Sequence, residues 1–218
     1  MNLQGAIIAG GDGRRLGTCL KALLPTPSGS SLLQKNVSLL RELCGRKPLL
    51  STNSPASFAN EVGLDTILED DGPKIGPLGG FLSTLRRTKA DALIFVAGDM
   101  PFLEKTVLES FVDEFRKSQA QSLWAVIDGF GQPFPSILSK ECLITLEAAA
   151  KTGLFSIQKI FRNRLSMAVW SEESKCALDP EGRSFNNINS FADLEDYLSL
   201  SHNDVLELLS HQNRAQPH

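Results

Sequence analysis

The chain has 218 residues, 42% of them hydrophobic, and a net charge of −3 at pH 7. That length suffices for one α/β domain with a sizeable core. The mildly acidic balance leaves no basic excess for neutralising a nucleic-acid backbone, which argues against a general nucleic-acid binder. No apolar run reaches the length of a membrane span and the first four residues lack a signal-peptide pattern, so a cytoplasmic protein without membrane contact is expected.

The cysteines, at 19, 44, 142 and 176, make no Cys-x-x-Cys pair and read as reduced thiols. The three histidines, 202, 211 and 218, all lie near the end of the chain. A histidine-based triad or a histidine-rich zinc site in the body of the domain is therefore excluded. The remaining chemistry is that of carboxylates, amides, cations and a hydrated metal.

The first element is a short apolar strand, Gly5–Ala9. It runs into Gly10-Gly11-Asp12-Gly13-Arg14-Arg15-Leu16-Gly17, with Lys21 four residues on. Glycines let the backbone approach a ligand and aim N–H groups at one anion, and the cations add full charge. This segment is built to hold a polyphosphate. It is not a Walker loop, because Thr18 rather than Lys follows Gly17. Nor does it fit the dinucleotide fingerprint, since Gly17 comes one residue late and no acid stands at Ser28–Ser31.

Leu32, Val37, Leu40 and Leu43 then recur at helical spacing. A second strand, Pro48–Thr52, ends in Ser51-Thr52-Asn53, where Ser51 or Asn53 suits a base edge and Asn53-Ser54-Pro55 equally suits a turn and helix cap. A third, Asp65–Leu68, ends in Glu69-Asp70-Asp71, acids fit for a guanine edge, a ribose or plain solvent. Gly76-Pro77-Leu78-Gly79-Gly80 opens a helix marked by Leu78, Leu82 and Leu85. Its glycines allow close approach either of a base or sugar or of the helix to the sheet.

The apolar run Ala92–Ala97 has the character of a buried strand and delivers Asp99 just past its end, before Met100-Pro101. A carboxylate there suits Mg²⁺ shared with substrate phosphates, or the cap of the next helix. That helix carries Leu103, Val107, Leu108, Phe111, Val112 and Phe115. Strands are expected again at Leu123–Ile127 and Ser166–Trp170. Asn187-Ile188-Asn189 sets two amides on one side of an extended segment, suited to a metal, an acceptor phosphate or the turn itself. Ser190 and Asp193 then have capping-box spacing.

Alternation at this period predicts an α/β fold: a Rossmann-like three-layer sandwich around a mostly parallel sheet, with the chemistry in the loops after the strands. The domain is expected over 1–200. A polar tail is expected over 201–218, frayed apart from a helical turn or two at Asp204–Leu209.

Ala9-Gly10-Gly11, Arg15-Leu16-Gly17 and Lys21 are spaced as in nucleotidyltransferases that join a nucleoside triphosphate to a phosphorylated acceptor. With Gly76-Pro77-Leu78-Gly79-Gly80, Gly98-Asp99-Met100-Pro101-Phe102 and Asn187-Ile188-Asn189-Ser190-Phe191-Ala192-Asp193-Leu194, the chain resembles the molybdenum cofactor guanylyltransferases of the MobA type over residues 5–198. It departs from their pattern at Gly98, where they carry cysteine, at Phe191, where they carry proline, and at Phe134 before Pro135.

The resemblance implies transfer of GMP from GTP to the phosphate of molybdopterin or molybdenum cofactor, with release of pyrophosphate. It implies Lys21, Arg15 and Asp99 as the catalytic set, and Mg²⁺ on Asp99. Ile8, Ala9, Gly10, Gly11, Lys21, Ser51, Asn53, Asp70, Gly80, Asn187 and Asn189 are the implied substrate-binding residues. GTP and molybdopterin are the implied small-molecule partners, with room for molybdenum-cofactor delivery proteins. Three alternatives stay open: a cytidylyltransferase, a guanylyltransferase for cobinamide phosphate, and a nucleotide-binding regulator without turnover.

Overall fold

The computed structural model describes residues 1–10, 20–69 and 75–215, the last five as backbone. Among these residues seven strands form one sheet: β1 (Leu3–Ile8), β2 (Leu49–Thr52), β3 (Thr66–Glu69), β4 (Ala92–Ala97), β5 (Ser122–Ile127), β6 (Phe130–Ser139) and β7 (Met167–Val169). Their order is β3-β2-β1-β4-β6-β5-β7, and β6 alone runs against its neighbours. The helices are α1 (Leu32–Cys44), α2 (Pro77–Arg87), α3 (Lys105–Lys117), α4 (Cys142–Lys151), α5 (Ile157–Arg164), α6 (Glu172–Leu178), α7 (Phe191–Leu198) and α8 (His202–Ala215).

The chain steps from β1 outward to β2 and β3, then returns to place β4 on the other side of β1. Right-handed crossovers running in opposite directions put α1 and α2 on opposite faces. α1, α3 and α6 pack together in one layer, and α2, α4 and α5 in the other. The expected three-layer, mostly parallel sandwich is therefore the observed fold. β1 and β4 are parallel neighbours, and the strand order reverses between them; that opens a crevice at their carboxyl ends, where ligands of such sheets bind.

Every residue of β1 and of β4 is buried, as expected for strands covered on both faces. On one face Phe81 of α2 stacks on Phe95 of β4 and Phe134 of β6 and meets the edge of Phe161 of α5. On the other, Phe111 of α3 packs on Trp170 and Phe185. A Cβ on Gly5 would fall 2.8 Å from that of Leu40, so glycine lets α1 lie directly on β1.

Two features differ from the sequence expectation. The ten-residue strand β6 escaped it, because Gly131, Pro133 and Pro135 break the apolar alternation. It pairs with β5 through a tight turn at Asp128 and Gly129, whose φ angles are 51° and 79°. Beyond residue 200, where a frayed tail was expected, α8 runs for fourteen residues. Its Val205 and Leu209 are buried in a second apolar cluster with Leu24, Leu32, Ile188 and Leu194. Too few apolar residues mark this helix for periodicity to reveal it. None of the described helices is long and apolar enough to cross a membrane.

Candidate active site

The crevice is built outward from the ends of β1 and β4. Their backbone pairing continues one residue further, the Gly98 N–H donating to the Ile8 carbonyl at 2.9 Å. On the other side, the Ala9 N–H donates to the Ser51 carbonyl at 2.8 Å. The Thr52 hydroxyl donates to the Ala9 carbonyl at 3.1 Å, and the Asn53 amide donates to the Gly10 carbonyl. In a trans peptide the N–H points opposite its C=O, so pinning the Ala9 carbonyl to Thr52 turns the Gly10 N–H away from β2. That orientation suits an anion held over the end of β1.

Lys21 opens a short 3-10 turn, Lys21–Leu23. Its Nζ donates to Asp99 Oδ2 at 2.9 Å and to Asn189 Oδ1 at 3.0 Å. The Lys21 and Asp99 side chains are each 18% exposed, open to a ligand yet shielded from full solvation. Ile8, Ala9, Lys21, Gly98 and Asp99 line one hollow together with Phe58. Asn187, Asn189 and Asp193 line a second with Phe102 and Gln132. Lys21 reaches a residue of each.

Gly98, one departure from the family pattern, has a steric cause. A Cβ there would stand 2.9 Å from that of Ala22 and 3.1 Å from that of Ala9. The segment carrying Lys21 thus crosses hard against the end of β4. Asp99 itself is fixed through its main chain, its carbonyl accepting from the Ile188 N–H at 3.0 Å. This bond joins the turn after β4 to the Asn187–Asn189 segment.

That segment is anchored by α7. Ser190 and Asp193 form the expected capping box. Asp193 Oδ2 accepts from the Asn189 N–H at 2.7 Å and the Ser190 N–H at 2.8 Å. Desolvation pushes the Asp193 pKa up, but these amides, the Ser190 hydroxyl and the Lys21 charge together hold it below the ordinary aspartate value. Asn187 Oδ1 is buried with no hydrogen-bond partner among the described residues, an oxygen left for a ligand or a bound water to meet.

Ser51 is fully buried, and its hydroxyl shares a 2.7 Å hydrogen bond with that of Ser83 on α2. Gly80 lies inside α2, its carbonyl accepting from the Thr84 hydroxyl at 2.7 Å. Lys21, Asp99 and Asn189 are thus brought into direct contact, with Ile8, Ala9 and Gly10 beside them, while Ser51 and Gly80 lie at the α2–sheet contact. Gly11, Arg15 and Asp70 fall outside the described residues. Thr52 and Gln132 escaped the sequence reading: Thr52 sat between two residues chosen as base readers, and Gln132 lies on the strand that the prolines concealed. Among the described residues no group of three or more His, Cys, Asp or Glu is placed to hold a metal.

A family model described as the MobA-like NTP transferase domain matches residues 5–168. The Asn187–Asn189 segment lies beyond that match. A probable molybdenum cofactor guanylyltransferase of Thermococcus kodakarensis is 30% identical over 197 residues, covering 87% of this chain and 91% of the relative. One of Rhodopirellula baltica, also a probable molybdenum cofactor guanylyltransferase, is 29% identical over 199 residues, covering 88% and 90%. The crystal structure of molybdopterin-guanine dinucleotide biosynthesis protein A from Archaeoglobus fulgidus superposes with a TM-score of 0.75 at 23% identity, covering 90% of this chain and 97% of that one, and shares its fold. Family match, relatives and shared fold agree with the strand-end geometry: the chain belongs to the MobA-like NTP transferases and is a nucleotidyltransferase.

Proposed function

We propose that this chain transfers GMP from GTP to the phosphate of molybdopterin or its metal-loaded form. An oxygen of the acceptor phosphate attacks the α-phosphorus of GTP. The α–β bridging P–O bond breaks, and its electron pair leaves with pyrophosphate. The observation that carries this reading is the meeting of Lys21, Asp99 and Asn189 at the junction of the two hollows.

A phosphate monoester has a second pKa of about 6, so the attacking oxygen is largely ionised at neutral pH and needs no side-chain base. That accounts for a domain body without histidine. What the protein must supply is alignment and charge compensation. The Gly10 N–H and Lys21, with Arg15, take the triphosphate over the end of β1. Asn187 and Asn189, facing the second hollow, take the acceptor side. Lys21 releases Asp99 as it turns to the phosphates.

The donor set fits Mg²⁺, a hard cation that takes one or two carboxylates and completes its shell with phosphate oxygens and water. Asp99 offers one such carboxylate, and Asn187 and Asn189 offer neutral amide oxygens nearby. Bound there, Mg²⁺ supplies charge neutralisation at the α-phosphate. Asp70 and Asn53 remain the residues assigned to the base and ribose, while Ser51, buried against Ser83, and Gly80, buried within α2, serve the packing of α2 on the sheet.

The test incubates the protein with purified molybdopterin and the Mg²⁺ salt of GTP, CTP or ATP, and reads the product by mass spectrometry. A guanine dinucleotide made from GTP is the expected product. A cytosine product overturns the base assignment. GTP binding without pyrophosphate release favours the regulator.

A further inference from the structure

We propose that Lys35 is a positioning residue for the reaction: from α1 its ammonium grips the Pro101 carbonyl and fixes the turn that carries Asp99. This rests on the reading of Asp99 given above.

The turn Gly98–Phe102 is short and leaves β4 at the floor of the crevice. Its described supports are uneven in strength. The Met100 thioether accepts from the Ala97 N–H at 3.4 Å, a weak bond. The Phe102 carbonyl accepts from the Ser184 hydroxyl, also at 3.4 Å. The Asp99 carbonyl has a good bond from the Ile188 N–H, but that partner belongs to the segment that must itself receive the acceptor. Lys35 Nζ donates to the Pro101 carbonyl, the one charge-assisted bond to the main chain among these. It comes from α1, which lies directly on β1.

Placing a charge there is costly, which is the second reason to assign it a task. Lys35 is desolvated enough to hold its pKa below the ordinary lysine value, with Glu104 pulling the other way. A neutral residue would pack at this position without that cost. The adjacent Asn36 reinforces the contact. It is fully buried and reaches the Ala97 carbonyl at the last residue of β4, with a 3.4 Å separation. Consecutive residues of α1 thus hold both ends of the turn. A displacement of about 1 Å at a catalytic group costs on the order of a hundredfold in rate, so the brace need only prevent small movements to matter.

The experiment compares wild type with Lys35→Met, which keeps an unbranched stem of nearly the same length and removes the charge. Lys35→Arg restores a cationic donor. We expect kcat to fall about tenfold or more in Lys35→Met with KM for GTP within about twofold, and Lys35→Arg to recover most of the loss. Hydrogen exchange of the peptide spanning 97–103 should quicken about tenfold in Lys35→Met, while that of β1 stays unchanged. A kcat within twofold of wild type, or faster exchange spread evenly over the sheet, overturns the proposal. If Lys35→Met does not fold, Lys35→Gln carries the same comparison, and unchanged kcat with unchanged local exchange refutes the brace. Wild-type protein that releases no pyrophosphate refutes the guanylyl-transfer reading, and the exchange comparison then decides the brace alone.

Discussion

Lys21 and Asp99 lie 78 residues apart in the chain, yet the ammonium of one donates to the carboxylate of the other at 2.9 Å. One follows β1 and the other follows β4, the two parallel strands on either side of the point where the strand order reverses. Each neutralises the other while no substrate is bound, which lets two opposite charges wait in a partly shielded crevice. In the proposed reaction, a triphosphate would offer Lys21 a more highly charged partner and free Asp99 for a cation.

Lys21→Ala should lower kcat/KM by roughly 10²–10³, the range for removing one preorganised donor from developing charge. Steady-state pyrophosphate release measures it. An effect below about threefold would take Lys21 off the phosphates.

Gly98→Ala should be harmful without touching a charged group. Its new Cβ would meet Ala22 and Ala9 at 2.9 and 3.1 Å, and neither neighbour has a flexible end to yield. Overpacking of this kind costs about 1–3 kcal/mol, seen as a lower midpoint in urea unfolding. The displaced segment carries Lys21, so turnover should fall as well.

Asp193 gives the segment around Asn189 an acid-sensitive anchor. Its carboxyl titrates below its ordinary value in the folded protein, so its stabilisation is complete above about pH 4 and is lost as pH falls through the lowered value. Asp193→Asn should lower Tm by roughly 2–4 °C at pH 7. At a second, acid pH, below the ordinary aspartate value, the gap from wild type should narrow as the Asp193 carboxyl takes up its proton. Thermal melts at the two pH values check the sign, and a gap that persists in acid would assign the effect to packing.

The parallel half of the sheet was legible because buried strands read as unbroken apolar runs; the expected and observed limits of β4, Ala92–Ala97, coincide. Asp99 was legible for the same reason, as a charge ending such a run. Gln132 was hidden because β6 carries prolines that look like turn signals and keeps its hydrogen bonds through neighbouring residues. Ser51 shows a different limit. Sequence places it at a strand end but does not say which face its hydroxyl takes, and the structure turns it onto Ser83. Gly98 is the converse case: the sequence shows a small residue after β4, and only the crossing of Ala22 explains why it must be small.

The most direct test of the account is pyrophosphate release by Asp99→Asn, with Mg-GTP and molybdopterin as substrates. The substitution keeps the shape of the side chain and removes its charge. Turnover at least about a thousandfold below wild type, in a protein that melts normally, is the predicted result. Turnover near that of wild type would contradict it.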